Sequence, residues 1–198
     1  MRIASVESAA FRRAALLFSA CALAAAAGPA FAADRESNPV VSVEGGDHGE
    51  TGSIHGQVDI NAPRATVWRL MVDCEKAIHM MVNAKSCKVF QRDPAGRWDV
   101  REQISKGGGF MPSVRIVLRS EYEAPHTVRF HRIEGTVKAL DGAWRLEPLD
   151  GGRTRAFYDC TVSVPGAPGP IARMVLRHDI PRMLVNLRDA SEADAGRP

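Results

Sequence analysis

The chain has 198 residues, 45% of them hydrophobic and 25% charged, with 17 glycines and 12 prolines. These proportions exclude a collagen-like repeat and a long disordered chain, and the length suits one soluble domain with its own core. The formal charge of +3 is small and the arginines alternate with acids, so the clustered basic footprint of a nucleic-acid-binding protein is missing.

Residues 1–32 read as a secretory signal peptide. Arg2, Arg12 and Arg13 precede an apolar run from Ala14 through Leu23 into an alanine tract, which ends at Gly28-Pro29 and the small-residue site Ala30-Phe31-Ala32. That order predicts export with cleavage after Ala32, and a periplasmic location in a Gram-negative bacterium. A membrane anchor is the weaker reading, because the run is short and broken before the cleavage site. Loss of the leader removes three arginines and one glutamate and lowers the net charge from +3 to +1. Cys74, Cys87 and Cys160 remain. An oxidising compartment permits one disulfide, and Cys74 with Cys87 would close a short loop; three buried thiols are the alternative. No C-x-x-C motif supports redox or zinc chemistry.

Residues 33–50 are polar and aperiodic and read as a flexible lead-in. The domain is expected over 51–191, with a disordered tail at 192–198. Ser53–Ile60 is a strand by its alternating Ile54, Val58 and Ile60. Asn61-Ala62-Pro63 offers a cap and a proline in the first turn of a helix with an apolar stripe of Val67, Leu70 and Met71. Asp73–Asn83 reads as a second short helix. From Ser86 the period is two, with strands at Lys88–Arg92, Trp98–Ile104, Val114–Tyr122, Val128–Ile133, Lys138–Leu146 and Thr154–Val164. Turn sequences such as Asp93-Pro94-Ala95-Gly96 and Leu149-Asp150-Gly151-Gly152 separate them. The run Val164–Pro170 stops the sheet. A final helix carries Leu176, Ile180, Met183, Leu184 and Leu187, with a kink expected at Pro181.

This order of elements resembles the START-like superfamily (SRPBCC, or helix-grip), in its polyketide cyclase/dehydrase and coenzyme Q-binding branch. The residues that carry the resemblance are Ala62-Pro63, Val67-Trp68, Asp73, Ser86, Gly135, Lys138, Gly142-x-Trp144-x-Leu146 and Thr154-x-x-x-Tyr158, followed by the proline-rich exit to the last helix. The chain departs from the pattern at Cys74, where an aromatic residue is usual, and at Met81, where a proline is usual. The resemblance implies an α+β fold: a curved antiparallel sheet of about seven strands, β-αα-β6-α, wrapped around the long C-terminal helix. It further implies an apolar cavity that takes a lipid, an isoprenoid quinone or a polyketide-like molecule.

Strand parity directs Trp98, Glu102, Ser120, Tyr122, Phe130, Arg132 and Tyr158 towards that cavity, and Met183 faces it from the last helix. These eight are the candidate ligand-binding residues. Glu102, Ser120 and Arg132 would form a polar rung on consecutive strands; a bulge would instead turn them to solvent. No catalytic residue, metal site or cofactor is expected, since the six histidines show no metal-ligand spacing and neither a nucleophile elbow nor a phosphate loop is present. The expected partner is a hydrophobic small molecule, with transient membrane contact and no nucleic acid. An exported non-enzymatic carrier is the first reading, a cyclase or aromatase using Glu102, Arg132 or Tyr158 is the second, and an interaction module with a filled core is the third.

Overall fold

An edge strand inside the expected lead-in opens the fold. Val40–Gly45 (β1) pairs antiparallel with Thr51–Ile60 (β2), and Val43 is buried between its exposed neighbours. Six residues with three valines alternate too briefly to stand out beside the polar flanks, and it is the pairing that makes them a strand. This is a computed structural model that describes residues 38–45, 51–106, 113–163 and 169–196, with side chains of the last segment from 174 onward. The expected signal peptide lies outside the described residues. All described residues belong to one unit, Arg35–Pro198.

On β2 the alternation holds: Ile54, Val58 and Ile60 are buried. Gly56 shares their face, where an added Cβ would come within 3.0 Å of Leu184 Cδ1, so its missing side chain admits the last helix. Helix α1 (Arg64–Val72) buries Val67, Leu70 and Met71 as expected. Its N-cap is Pro63, without a side-chain hydrogen bond, rather than Asn61. The Asn61 backbone N–H instead donates to Glu192 at 2.8 Å. Helix α2 is shorter than expected, Cys74–Ala77, and its cap is the Asp73 carboxylate, which accepts from the Glu75 and Lys76 N–H groups. Residues from Ile78 to Asn83 continue as turns.

Strands β3 (Ala84–Arg92), β4 (Trp98–Ser105), β5 (Val114–Glu123), β6 (Thr127–Gly135), β7 (Ala139–Leu149) and β8 (Arg153–Ser163) form the meander. The single antiparallel sheet has eight strands in the order β1-β2-β8-β7-β6-β5-β4-β3, one more than expected because of β1. Two register shifts fall in the β3–β4 pairing and one in β5–β6, at Val117/Leu118. Helix α3 (Gly169–Ala195) lies against β2, β1 and α1, with Ile180, Leu184 and Leu187 buried and Pro181 inside it. It runs through residues 192–195, expected to be disordered. There Glu192 takes the Asn61 N–H, and Asp194 pairs with Arg69 of α1 at 2.9 Å, which fixes the last turn. No described helix is long and apolar enough to cross a membrane. Cys74 and Cys87 form a disulfide with Cα atoms 5.5 Å apart, and Cys160 is a buried free thiol.

Candidate functional site

A cavity of about 120 Å³ lies between the inner face of the sheet and the three helices. Its sheet side is aromatic. Phe130 and Tyr158 stack with centroids 6.0 Å apart, and Trp144 leans on Tyr158 at 4.5 Å. Cross-strand register puts these rings together: Phe130 faces Gly142, and Trp144 pairs with both Val128 and Tyr158. Its helix side is rich in methionine, with Met71 from α1, Met80 and Met81 after α2, and Met183 from α3. Rings set a firm shape, whereas thioether chains adapt to what they touch.

The polar end of the cavity is Arg101 on β4. Its guanidinium donates through Nε to Asp99 Oδ1 at 2.9 Å and through Nη2 to Asp99 Oδ2, forming a bidentate pair that is almost fully buried. Nη2 also donates to the Val72 carbonyl at 2.8 Å and to the Tyr122 hydroxyl at 2.6 Å. None of these bonds comes from Nη1, which makes no hydrogen bond among the described residues. Burial works against the Arg101 charge, but the hydrogen bonds and charges of Asp99 and Tyr122 prevail and raise its pKa. Burial raises the Tyr122 pKa as well, with Asp99 adding to the effect and Arg101 opposing it. Tyr158 is raised by burial and by Cys160 beside it, and burial pushes the Cys160 thiol up to about 11. Among the described residues no three His, Cys, Asp or Glu side chains gather as a metal site would require.

Of the eight candidates, Ser120, Tyr122, Phe130, Tyr158 and Met183 line this cavity. Trp98 and Glu102 do not, because β4 is turned the other way. Asp99 pairs with Ser120 and Arg101 with Leu118, so the inner face of β4 is Asp99, Arg101 and Gln103. On the outer face Arg119 lies over the Trp98 ring at 4.3 Å, and Glu102 bonds Arg115 at 2.5 Å. Arg132 is opposite Leu118 and so shares the inner side, yet it is not on the cavity wall. It donates to the Gly135 carbonyl at 3.0 Å and has no ion pair with Glu102. The polar rung is therefore corrected to Asp99, Arg101, Ser120 and Tyr122. Sequence parity missed Arg101 because hydrophobic residues mark the wrong face of β4. The D-x-R spacing beside an inward Tyr122 was the available signal.

A helix-grip domain with an apolar cavity closed by one buried ion pair defines the class. The chain belongs to the family described as polyketide cyclase / dehydrase and lipid transport, whose model matches residues 60–188. Among solved structures it is similar to the Zhui aromatase/cyclase from Streptomyces sp. R1128, at 14% identity and a TM-score of 0.63, covering 72% of this chain and 94% of that one. The lipid transfer and protein localization domain of human StarD13 aligns at 15% identity and a TM-score of 0.66, covering 77% of this chain and 84% of that one. A STAR-related lipid transfer protein from Xanthomonas axonopodis aligns at 16% and 0.63, covering 79% and 94%. At these identities the likeness is one of fold. No curated protein matches the chain.

Proposed function

We propose that the protein is an exported, non-enzymatic carrier of a hydrophobic small molecule whose oxygen-bearing end meets Arg101. The observation that carries this reading is a buried arginine at the polar end of a mostly apolar cavity, neutralised by Asp99 and with Nη1 making no hydrogen bond among the described residues. Mostly apolar walls with a few polar groups gathered at one end suit an amphiphile. A lipid, an isoprenoid quinone and a polyketide-like molecule all have such a form. The cavity is comparable with one of about 150 Å³ that takes benzene, so a larger guest requires the methionine side to yield.

The ionisable groups on the wall favour holding over chemistry. Arg101, Tyr122 and Tyr158 are each shifted further from neutrality, whereas proton transfer calls for a pKa near the working pH. The cyclase alternative draws on the Arg101–Tyr122 hydrogen bond and on neighbours that include an aromatase/cyclase. Export is supported by the leader sequence and by the Cys74–Cys87 disulfide, a bond that persists in oxidising compartments. A periplasmic carrier of this kind would load and unload by brief membrane contact.

Native mass spectrometry of the protein purified from its own compartment, followed by solvent extraction, tests the reading. A retained apolar molecule, returned unchanged when resupplied, is expected. Conversion to a product of different mass favours the cyclase, and a cavity that retains nothing favours the filled interaction module. Cell fractionation with sequencing of the mature N-terminus tests export.

A further inference from the structure

We propose that the Cys74–Cys87 disulfide sets the size of molecule that the cavity takes, so that its reduction widens the range of guests; this rests on the binding reading above. The wall of the cavity is unequal. On the sheet side, rings in register on β6, β7 and β8 fix its shape. The segment from Cys74 to Asn83 supplies Ala77, Met80 and Met81, and little of its own holds it in place. Four residues of helix are too few to persist alone. Beyond them the chain is held by single-turn bonds, His79 N–H to Lys76 and Met80 N–H to Ala77, by Asn186 of α3 donating to the Met80 carbonyl at 3.3 Å, and at its end by the Lys106 N–H donating to the Asn83 carbonyl at 2.8 Å.

The disulfide joins this segment to the sheet. Cys74 opens α2, three residues before Ala77, while Cys87 is the cross-strand partner of Gln103, which itself lines the cavity. The covalent tie thus closes the gap between the movable wall and the fixed one, at the side where the guest would need room. Cutting it leaves the segment with the Asp73 cap, its turn bonds, Asn186 and, at its far end, the Lys106–Asn83 backbone bond. A dithiol reductant suffices: its thiolate attacks one sulfur, its second thiolate displaces the mixed disulfide, and two protein thiols form as the reductant becomes a cyclic disulfide.

The test uses the full chain, oxidised and then dithiol-reduced, and the Cys74→Ser/Cys87→Ser variant. Straight-chain alkanoates from hexanoate to hexadecanoate displace a fluorescent anilinonaphthalene sulfonate probe. The oxidised protein is expected to favour the short members, and both untied forms to gain roughly tenfold for the long members relative to the short ones, since one methylene in a tight pocket discriminates by about that much. Amide exchange read in parallel should rise over residues 75–83 and stay unchanged over β5–β8. An identical length profile in tied and untied forms, or exchange that rises across the whole sheet, would overturn the proposal and leave the disulfide as a staple of the fold. Displacement by no alkanoate in any form would overturn the binding reading and this inference with it.

Discussion

Gly142 and Phe130 are cross-strand partners, and the Phe130 ring occupies the place where a Gly142 side chain would stand. A Cβ at Gly142 would lie 2.6 Å from Phe130 Cζ and 2.4 Å from the Asp159 carbonyl oxygen. The ring cannot retreat outward, and the carbonyl belongs to the neighbouring strand. Gly142→Ala should therefore cost about 1–3 kcal/mol, as overpacked cores do, and push Phe130 into the cavity. Differential scanning calorimetry should show a melting temperature lower by several degrees, with bound ligand lost as well. An unchanged melting temperature would mean that the sheet spreads at this pair without penalty.

Arg101→Met should destabilise by about 3–5 kcal/mol, because it strands the Asp99 carboxylate where water cannot reach it. Adding Asp99→Asn removes the stranded charge and should recover part of the loss, a coupling that urea denaturation of the single and double variants measures. Equal stability of the two variants would show that Asp99 finds another partner when Arg101 is gone.

Acid should weaken the fold through Asp59 and Asp93. Hydrogen bonds from Arg155 and Arg97 hold these carboxyls below the ordinary 3.8 despite the opposing effect of burial. A lowered folded pKa stabilises fully above the unfolded value and ceases to do so as pH falls through the folded one. Thermal midpoints should thus be flat from neutrality down to about pH 5 and decline below pH 4. Asp59→Asn should make that decline shallower without abolishing it, since Asp93 still titrates. An unaltered acid limb in the variant would remove Asp59 from the account.

Cys160 should resist alkylation at neutral pH in the folded protein. Its thiol is buried and pushed up to about 11, chiefly by desolvation, and the thiolate is the reactive form. Mass spectrometry after iodoacetamide should find Cys160 labelled only under denaturing conditions. Rapid labelling of the native protein would require an opening of β8 that its pairing with β2 and β7 argues against.

The fold was legible because hydrophobic alternation and turn residues agree along most of the chain. From β5 to β8 the apolar parity identified the inner face, including Ser120, Tyr122, Phe130 and Tyr158. On β4 the same rule failed. Trp98 and Val100 lie on the outer side, where the guanidinium of Arg119 covers the indole, and the inner side carries two opposite charges that cancel each other. A hydrophobicity pattern assigns charges to water, so a fully paired internal Asp–Arg is invisible to it. The edge strand β1 was missed for another reason: its six residues depend on pairing with β2, a relationship no local window contains.

Pro181 divides the terminal helix into unequal halves. The proline has no N–H, so the Arg177 carbonyl loses its helical donor at that turn. Beyond it Leu184, Leu187 and Ser191 are fully enclosed, and Asp194 ties the end to α1. Before it, Met174, Arg177 and His178 are exposed, while Leu176 packs on the core and Ile180 is buried. The helix is thus seated on the sheet on both sides of its one missing backbone bond, most deeply on the C-terminal side. That gap in the bonding ladder falls two residues from Met183, so the turn that lacks a backbone bond lies beside the cavity wall.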